Sequence, residues 1–240
     1  MQKLKTSAQA WLVAHRGDRA GGVENTLAAF EFAASSGALF AECDVQFTKD
    51  YIAVVLHDDD LKRLCNKPQR KATALNLLEL QDVCRSSFAL LSLKELLIWL
   101  QQYPALTLFV EIKDDILKRE SPQSTAQLVT EYIASEQLSQ IVIISKAGDI
   151  LDACKLAISD ELRIGWVAEG NNKPESKLDY IFMPYEQAAT IAHWHDLNVN
   201  VGLYTINHTA LSLELRDSGA DLIETDLYSQ LKLELDADDS

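Results

Sequence analysis

The strongest constraint on the fold is the alternation of short apolar runs with longer amphipathic segments along the 240-residue chain. Eight runs of strand length are bounded by polar residues, and most are separated by segments with apolar residues at helical spacing. The predicted strands cover residues 11–14, 39–45, 106–112, 141–145, 162–167, 178–182, 200–205 and 221–225, and the predicted helices cover residues 25–36, 93–102, 123–136, 150–157, 185–196 and 209–218. Parallel strands joined by helical crossovers are typical of the α/β class.

Eight such units predict a closed TIM (β/α)8 barrel, with a doubly wound sheet as the competing architecture. A barrel of this type needs about 250 residues, so we expect one domain over residues 1–240. Residues 51–56 follow a polar turn and predict a hairpin return beside the second strand. Residues from roughly 58 to 91 are less regular and predict a small insertion after the second strand, and the acidic tail after residue 225 is expected to fray.

The formal charge of −14 argues against nucleic acid as a partner and disfavours binding to anionic lipid. A small anionic substrate stays compatible with this charge if a metal or local Arg and Lys residues reverse the field in one cleft. The chain lacks an apolar run long enough for a membrane span or a signal peptide, and its four cysteines form no CxxC pair. We therefore expect a cytoplasmic protein with reduced thiols, and we leave its oligomeric state open.

A barrel places its active site at the carboxyl ends of the strands, so polar functional residues should follow the apolar runs. The residues that meet this demand are His15, Arg16, Glu42, Asp44, His57, Glu111 and Lys113, and Asp58, Glu224 and Asp226 follow apolar runs in the same way. Residues two apart on a strand point to the same face, so Glu42 and Asp44 can point together into the barrel mouth. A single acid or histidine at a strand end is usually structural, but this set at consecutive strand ends is hard to explain in that way.

Three carboxylates that converge on one point repel one another unless a cation lies between them. Glu42, Asp44 and Glu111 are therefore candidate ligands of a divalent metal. Carboxylate oxygens are hard ligands, which favours Mg²⁺ or Ca²⁺ over zinc.

With these residues in place, the sequence resembles the glycerophosphodiester phosphodiesterase family over nearly the whole chain. The matching motifs are His15-Arg16-Gly17, Glu24-Asn25-Thr26, Glu42-Cys43-Asp44-Val45, Thr48-Lys49-Asp50, His57-Asp58, Glu111-Ile112-Lys113, Tyr204-Thr205-Ile206-Asn207 and Glu224-Thr225-Asp226. The resemblance implies a barrel with a small insertion that hydrolyses small glycerophosphodiesters, such as glycerophosphocholine, to glycerol 3-phosphate and an alcohol.

The resemblance also implies a role for each matching residue. It makes His15 and His57 the acid/base pair, Glu42, Asp44 and Glu111 the divalent-metal ligands, and Arg16 and Lys113 the contacts to the substrate phosphate. Departures such as Val23, Tyr51 and Tyr204 leave the identity of the alcohol open.

Other polar residues carry weaker expectations. We expect Glu24 and Asn25 to cap the first helix and support the site, and Ser145 and Tyr204 to line the pocket. Glu224 and Asp226 are either supporting residues of the site or loop acids, His193 and His195 are structural, and His208 starts the last helix.

Two other functions stay open at this point. The first is a barrel lyase of the phospholipase D-like or phosphoinositide type, which releases a cyclic phosphate. The second is a barrel that binds a phosphorylated ligand without catalysis, although such proteins usually lose a catalytic group.

Overall fold

A computed structural model describes residues 7–169 and 172–238. The strands are β1 (Leu12–His15), β2 (Phe40–Phe47), β3 (Ala53–Val55), β4 (Asp60–Leu61), β5 (Lys67–Lys71), β6 (Thr107–Ile112), β7 (Ile141–Ser145), β8 (Arg163–Val167), β9 (Tyr180–Pro184), β10 (Asn200–Tyr204) and β11 (Leu222–Thr225). The α-helices are α1 (Leu27–Ser35), α2 (Lys62–Cys65), α3 (Leu77–Cys84), α4 (Leu93–Leu100), α5 (Pro122–Thr130), α6 (Gly148–Ile158), α7 (Ile191–Asp196), α8 (Thr209–Asp217) and α9 (Tyr228–Asp238). Short 3₁₀ helices occupy Ala8–Ala10, Ala72–Ala74, Asp114–Lys118, Ser135–Gln137 and Tyr185–Thr190.

The main sheet closes on itself as a parallel barrel. Strands β1, β2 and β6 to β11 follow one another around it, and β1 pairs with both β2 and β11. His15 is thereby opposite Glu42 on one side, and Val13 is opposite Glu224 on the other. The predicted eight-stranded barrel is confirmed, and the doubly wound sheet is excluded because the parallel strands close. The extent of the domain, residues 1–240, stays a prediction.

The insertion lies between β2 and α4. Strand β3 returns antiparallel to β2, and it is followed by β4, α2, β5 and α3, with β4 and β5 forming a separate antiparallel pair. This segment has its own buried apolar cluster, which includes Leu56, Leu61, Cys65, Leu80 and Cys84. Its own core allows the insertion to hold a fixed shape beside the barrel mouth.

Large apolar side chains fill the barrel interior. Phe109 and Phe182 are almost fully buried there and pack edge to face, with ring centroids 4.9 Å apart. Ile144, Val167 and Phe182 belong to this inner cluster and also line the cavity described below. The inner cluster therefore forms the apolar floor of that cavity.

The acidic tail is helical, so the prediction that it frays was wrong. Tyr228, Leu231 and Leu235 of α9 are buried, and the Tyr228 hydroxyl donates a hydrogen bond of 3.1 Å to the Gly37 carbonyl. His208 precedes α8 as its N-cap residue, but α9 is the last helix. Among the described residues, every helix is too short or too polar to cross a bilayer.

Candidate active site

The predicted site residues meet at one cavity of about 310 Å³ at the carboxyl ends of the barrel strands. Six of the seven line it: His15, Arg16, Glu42, His57, Glu111 and Lys113. Asp44 lies behind this lining with no exposed surface and contacts both Arg16 and Lys113. The structure thus brings all seven residues together.

Glu42, Asp44 and Glu111 form one buried carboxylate cluster. Asp44 on β2 is opposite Glu111 on β6, and one oxygen of each of the three residues lies within 4.8 Å of the others. Oε1 of Glu42 and Oε1 of Glu111 are buried without a hydrogen-bond partner. Burial raises the pKa of both glutamates, and the neighbouring carboxylates raise it further. Unpartnered, crowded oxygens of this kind fit a hard divalent cation.

Asp44 differs from its two neighbours because it is surrounded by donors. Lys113 Nζ lies 2.6 Å from Oδ1, and Arg16 Nε lies 3.0 Å from Oδ2. The Asn25 side-chain amide also donates a hydrogen bond of 2.7 Å to Oδ2. Burial alone would raise the pKa of Asp44, but Lys113 and Arg16 outweigh it and lower that pKa. Asp44 is therefore the carboxylate of the cluster that stays ionised most readily.

Arg16 and Lys113, the predicted phosphate contacts, form ion pairs with carboxylates. Lys113 Nζ also lies 2.8 Å from Glu111 Oε2, and Arg16 Nη1 donates a hydrogen bond to Glu24 Oε1 over 3.0 Å. The Arg16 backbone has a φ of 58°, and its N–H donates to Glu42 Oε2 over 3.1 Å. Both side chains line the cavity, so both could reach a phosphate bound there. Their contacts with a substrate phosphate stay a prediction.

Asp226, which directly follows β11, holds the His15 side chain. Nδ1 of His15 lies 2.9 Å from Asp226 Oδ1, and the Asn207 amide donates to the other oxygen of Asp226 over 3.1 Å. Burial opposes ionisation of Asp226, but the His15 contact prevails and lowers the pKa of Asp226 to about 2. Because Asp226 can accept a hydrogen bond from Nδ1–H, the proton-exchanging nitrogen of His15 is Nε2, which lies 3.9 Å from Glu42 Oε2 in the cavity lining.

A second aspartate holds His57 in the same way. Nδ1 of His57 lies 2.6 Å from Asp58 Oδ1, and Arg63 Nε donates to Asp58 Oδ2 over 2.7 Å. The two terminal nitrogens of Arg63 donate to Glu24 over 2.6 and 2.7 Å. Burial is the largest influence on His57 and lowers its pKa. Arg63 lies in the insertion, where the sequence has no clear periodicity, so sequence reasoning missed this contact.

The opposite wall of the cavity carries Lys146, Glu169 and Tyr204. The Tyr204 hydroxyl donates to Glu169 Oε1 over 3.0 Å, and Lys146 forms an ion pair with the same carboxylate. Tyr204 lines the cavity as expected. Ser145 does not, because its buried hydroxyl donates to the Ile112 carbonyl.

Two further expectations are settled by contacts outside the cavity. Glu24 and Asn25 support the site through Arg16 and Asp44, but the residue that precedes α1 as its N-cap is Thr26, so the capping prediction was wrong. His195 lies at the surface 2.9 Å from Asp221, which fits the expected structural role.

The family model for the glycerophosphoryl diester phosphodiesterase family matches residues 15–227. The chain belongs to this family. Glycerophosphodiester phosphodiesterase 1 of Bos taurus is 40% identical over 83 residues, which cover 32% of this chain and 25% of that protein. A glycerophosphodiester phosphodiesterase of Caldanaerobacter subterraneus is 49% identical over 55 residues, which cover 23% of each chain. The matches thus span about a quarter of the length of these curated relatives.

Solved structures of the family share the fold over almost the whole chain. A glycerophosphodiester phosphodiesterase from Parabacteroides distasonis superposes with a TM-score of 0.78 at 20% identity and covers 98% of this chain and 100% of its own. A phosphodiesterase from Oleispira antarctica, solved in complex with the product sn-glycerol-3-phosphate, gives a TM-score of 0.78 at 21% identity and covers 94% and 96%. The resemblance drawn from the sequence motifs is therefore confirmed for the family and for the barrel.

Proposed function

We propose that this protein hydrolyses glycerophosphodiesters to glycerol 3-phosphate and an alcohol, with a divalent metal held by Glu42, Asp44 and Glu111. The observation that carries the proposal is the convergence of two aspartate-held histidines and three crowded carboxylates on one cavity. Family membership and the relatives' names support the same reaction.

The two histidines suit the proton transfers that this reaction needs. Each is bound through Nδ1 to an aspartate, so its Nε2 can take or give a proton in the cavity. The attacking hydroxyl must lose a proton and the departing alkoxide must gain one, and each such transfer contributes roughly 10²–10⁴-fold to the rate. Burial lowers the pKa of His57, which favours its neutral form near neutral pH. We assign His15 and His57 to this pair without fixing which acts first as base.

The charged residues would stabilise the phosphate. A bound Mg²⁺ or Ca²⁺ would supply positive charge that neutralises phosphate oxygens. Arg16 and Lys113 line the same cavity, so a substrate phosphate can share their donors with the carboxylates that now hold them. In this role they would stabilise the additional charge of the transition state.

A direct test is turnover of a glycerophosphodiester panel by the purified protein, with and without added Mg²⁺ or Ca²⁺. We expect metal-dependent release of sn-glycerol 3-phosphate in a coupled dehydrogenase assay and a matching monoester signal in phosphorus NMR. A cyclic phosphate as the final product would identify a lyase instead. Binding of glycerol 3-phosphate without turnover of any diester would identify a binding barrel and overturn the proposal.

We also infer that the protein works in a reducing compartment such as the cytoplasm. Its four cysteines are all buried and free. The Sγ atoms of Cys65 and Cys84 lie 3.4 Å apart, so these two residues would stay as thiols in a reducing compartment and could be joined in an oxidising one.

A further inference from the structure

Glu224 places a fourth carboxylate at the cavity, and the reaction described above does not use it. It lies on β11 opposite Val13 of β1, is 3% exposed, and lines the cavity. It is not part of the cluster in which the oxygens of Glu42, Asp44 and Glu111 lie within 4.8 Å of one another. Its position is therefore beside the proposed metal site and not within it.

The Glu224 carboxylate has no protein donor among the described residues. Its Oε1 is buried without a hydrogen-bond partner, and the carboxylate forms no ion pair in that part of the chain. The three permanent cations that line the cavity are held elsewhere: Arg16 by Glu24 and Asp44, Lys113 by Asp44 and Glu111, and Lys146 by Glu169. A buried polar group without a partner is costly, so its presence at a cavity wall points to a ligand that donates to it.

The local charge favours an uncharged donor. Burial raises the pKa of Glu224 to about 8, with further contributions from Glu111 and Asp44, so the group is reluctant to carry a full negative charge. A hydroxyl suits such a group in either protonation state, because a hydroxyl can both donate and accept a hydrogen bond. The apolar floor of the same cavity, formed by Ile144, Val167 and Phe182, suits a short carbon chain.

We propose that Glu224 binds the terminal hydroxyl of the glycerol moiety of the substrate and so selects glycerol esters among phosphodiesters. This rests on the proposed function, which supplies a glycerol with two free hydroxyls. The hydroxyl next to the phosphate must stay near the histidines and the metal ligands. The terminal hydroxyl is free to reach the carboxylate beside them.

The test pairs Glu224 variants with a pair of substrates. Glu224→Ala and Glu224→Gln are compared with the wild type on glycerophosphocholine and on the analogue that lacks only the terminal hydroxyl. For glycerophosphocholine we expect kcat/KM to fall roughly 10-fold in Glu224→Ala, the upper end for a hydrogen bond between uncharged groups, and less in Glu224→Gln, whose amide keeps both an acceptor and donors. For the wild type, we expect kcat/KM to be lower on the analogue than on glycerophosphocholine by a similar factor. On the analogue, we expect kcat/KM of Glu224→Ala to differ from that of the wild type by less than about threefold.

The control is Glu31→Gln, an exposed glutamate on α1, which should leave both substrates unaffected. Equal losses on both substrates would show that Glu224 acts on the phosphate or the metal, and unchanged rates on both would show that it binds nothing. Either result overturns the proposal. Should Glu224→Ala fail to fold, Glu224→Gln carries the comparison.

Calorimetry with the metal-loaded protein separates this inference from the proposed function. We expect glycerol 3-phosphate to bind more tightly than 1,2-propanediol 1-phosphate in the wild type and with equal affinity in Glu224→Ala. If these affinities are observed but no diester is turned over, the hydrolase proposal is refuted and the hydroxyl site is still supported. Equal affinities in the wild type would refute the hydroxyl site whatever the activity.

Discussion

Replacement of Arg63 tests whether the insertion controls the geometry of His57. Arg63 donates three hydrogen bonds, two to Glu24 and one to Asp58, and Asp58 in turn holds His57 Nδ1. Without Arg63, Asp58 loses one of its two partners and His57 loses its fixed orientation. A misplacement of about 1 Å can cost roughly 10²-fold in rate, so we expect kcat to fall at least tenfold in Arg63→Ala with little change in KM.

The effect on stability should be smaller than the number of hydrogen bonds suggests. The Arg63 side chain is 43% exposed, so solvent screens its three bonds, and each contributes about 0.5–1 kcal/mol instead of the larger value for buried charges. Glu24 keeps its 3.0 Å contact with Arg16. We therefore expect a loss of about 2 kcal/mol in the free energy of unfolding and a fall in Tm of about 4–8 °C.

The assay is steady-state kinetics with glycerophosphocholine, beside thermal melting of the same preparations. Arg63→Lys is the informative variant, because one ammonium keeps the charge but cannot replace a fork that binds Glu24 and Asp58 together. It should recover stability more than it recovers kcat. Arg70→Ala, an exposed position in the same insertion, serves as the control. A folded Arg63→Ala protein with unchanged kcat would refute the coupling between the insertion and His57.

The other site residues give outcomes that can be measured with the same assays. His15→Ala and His57→Ala should each lower kcat by about 10²–10⁴-fold while circular dichroism is unchanged, and near-normal rates in either would remove it from the acid/base pair. EDTA should abolish turnover and Mg²⁺ or Ca²⁺ should restore it, whereas activity that persists in metal-free buffer would exclude the carboxylate cluster from the mechanism. Lys113→Met should bind the metal more tightly in calorimetry yet turn over more slowly, because Lys113 lies 2.6 and 2.8 Å from two of the proposed ligands; weaker metal binding would contradict this competition. Asp226 has a pKa lowered to about 2, so its stabilising contribution is present above its unfolded pKa of about 3.9 and is lost as the pH falls toward 2. The difference in unfolding free energy between the wild type and Asp226→Asn should therefore shrink from pH 5 to pH 3 in urea titrations, and a constant difference would contradict the assignment.

The carboxylate cluster could be predicted because its signals are local. Glu42 and Asp44 lie two apart on one strand, and Glu111 ends the next parallel strand, so strand periodicity and barrel geometry suffice to bring them together. The helix α9 had a local signal too, since Leu231 and Leu235 are four apart and both buried. The prediction of a frayed tail relied on its acidic composition and did not use this helical spacing.

The contacts that sequence reasoning missed depend on the path of the chain between distant segments. Arg63 reaches Glu24 across 39 positions, from an insertion whose course no periodicity defines. Asn25 looked like a helix cap, but its backbone has a φ of 59° and its amide holds Asp44 instead. In each case a side chain with a plausible local role donates instead to a carboxylate that is distant in the sequence. Only the tertiary structure shows which of these two roles the side chain has.

The charge of the cavity bears on whether the proposed anionic substrate needs the proposed metal. Three permanent cations line the cavity, Arg16, Lys113 and Lys146, against four carboxylates, Glu42, Glu111, Glu169 and Glu224. With all groups ionised this lining carries −1, and Asp44 directly behind it makes the balance −2. A phosphodiester monoanion would be repelled by that field. Protonation of Glu42, Glu111 and Glu224, whose pKa values burial raises, would change the balance to +1, but it would also remove the charges that could hold a metal. One divalent cation among the three clustered carboxylates would cancel the excess negative charge of the ionised groups and would free Lys113 and Arg16 to interact with the phosphate. With the carboxylates ionised, the proposed metal would therefore make the acidic cluster compatible with the proposed anionic substrate.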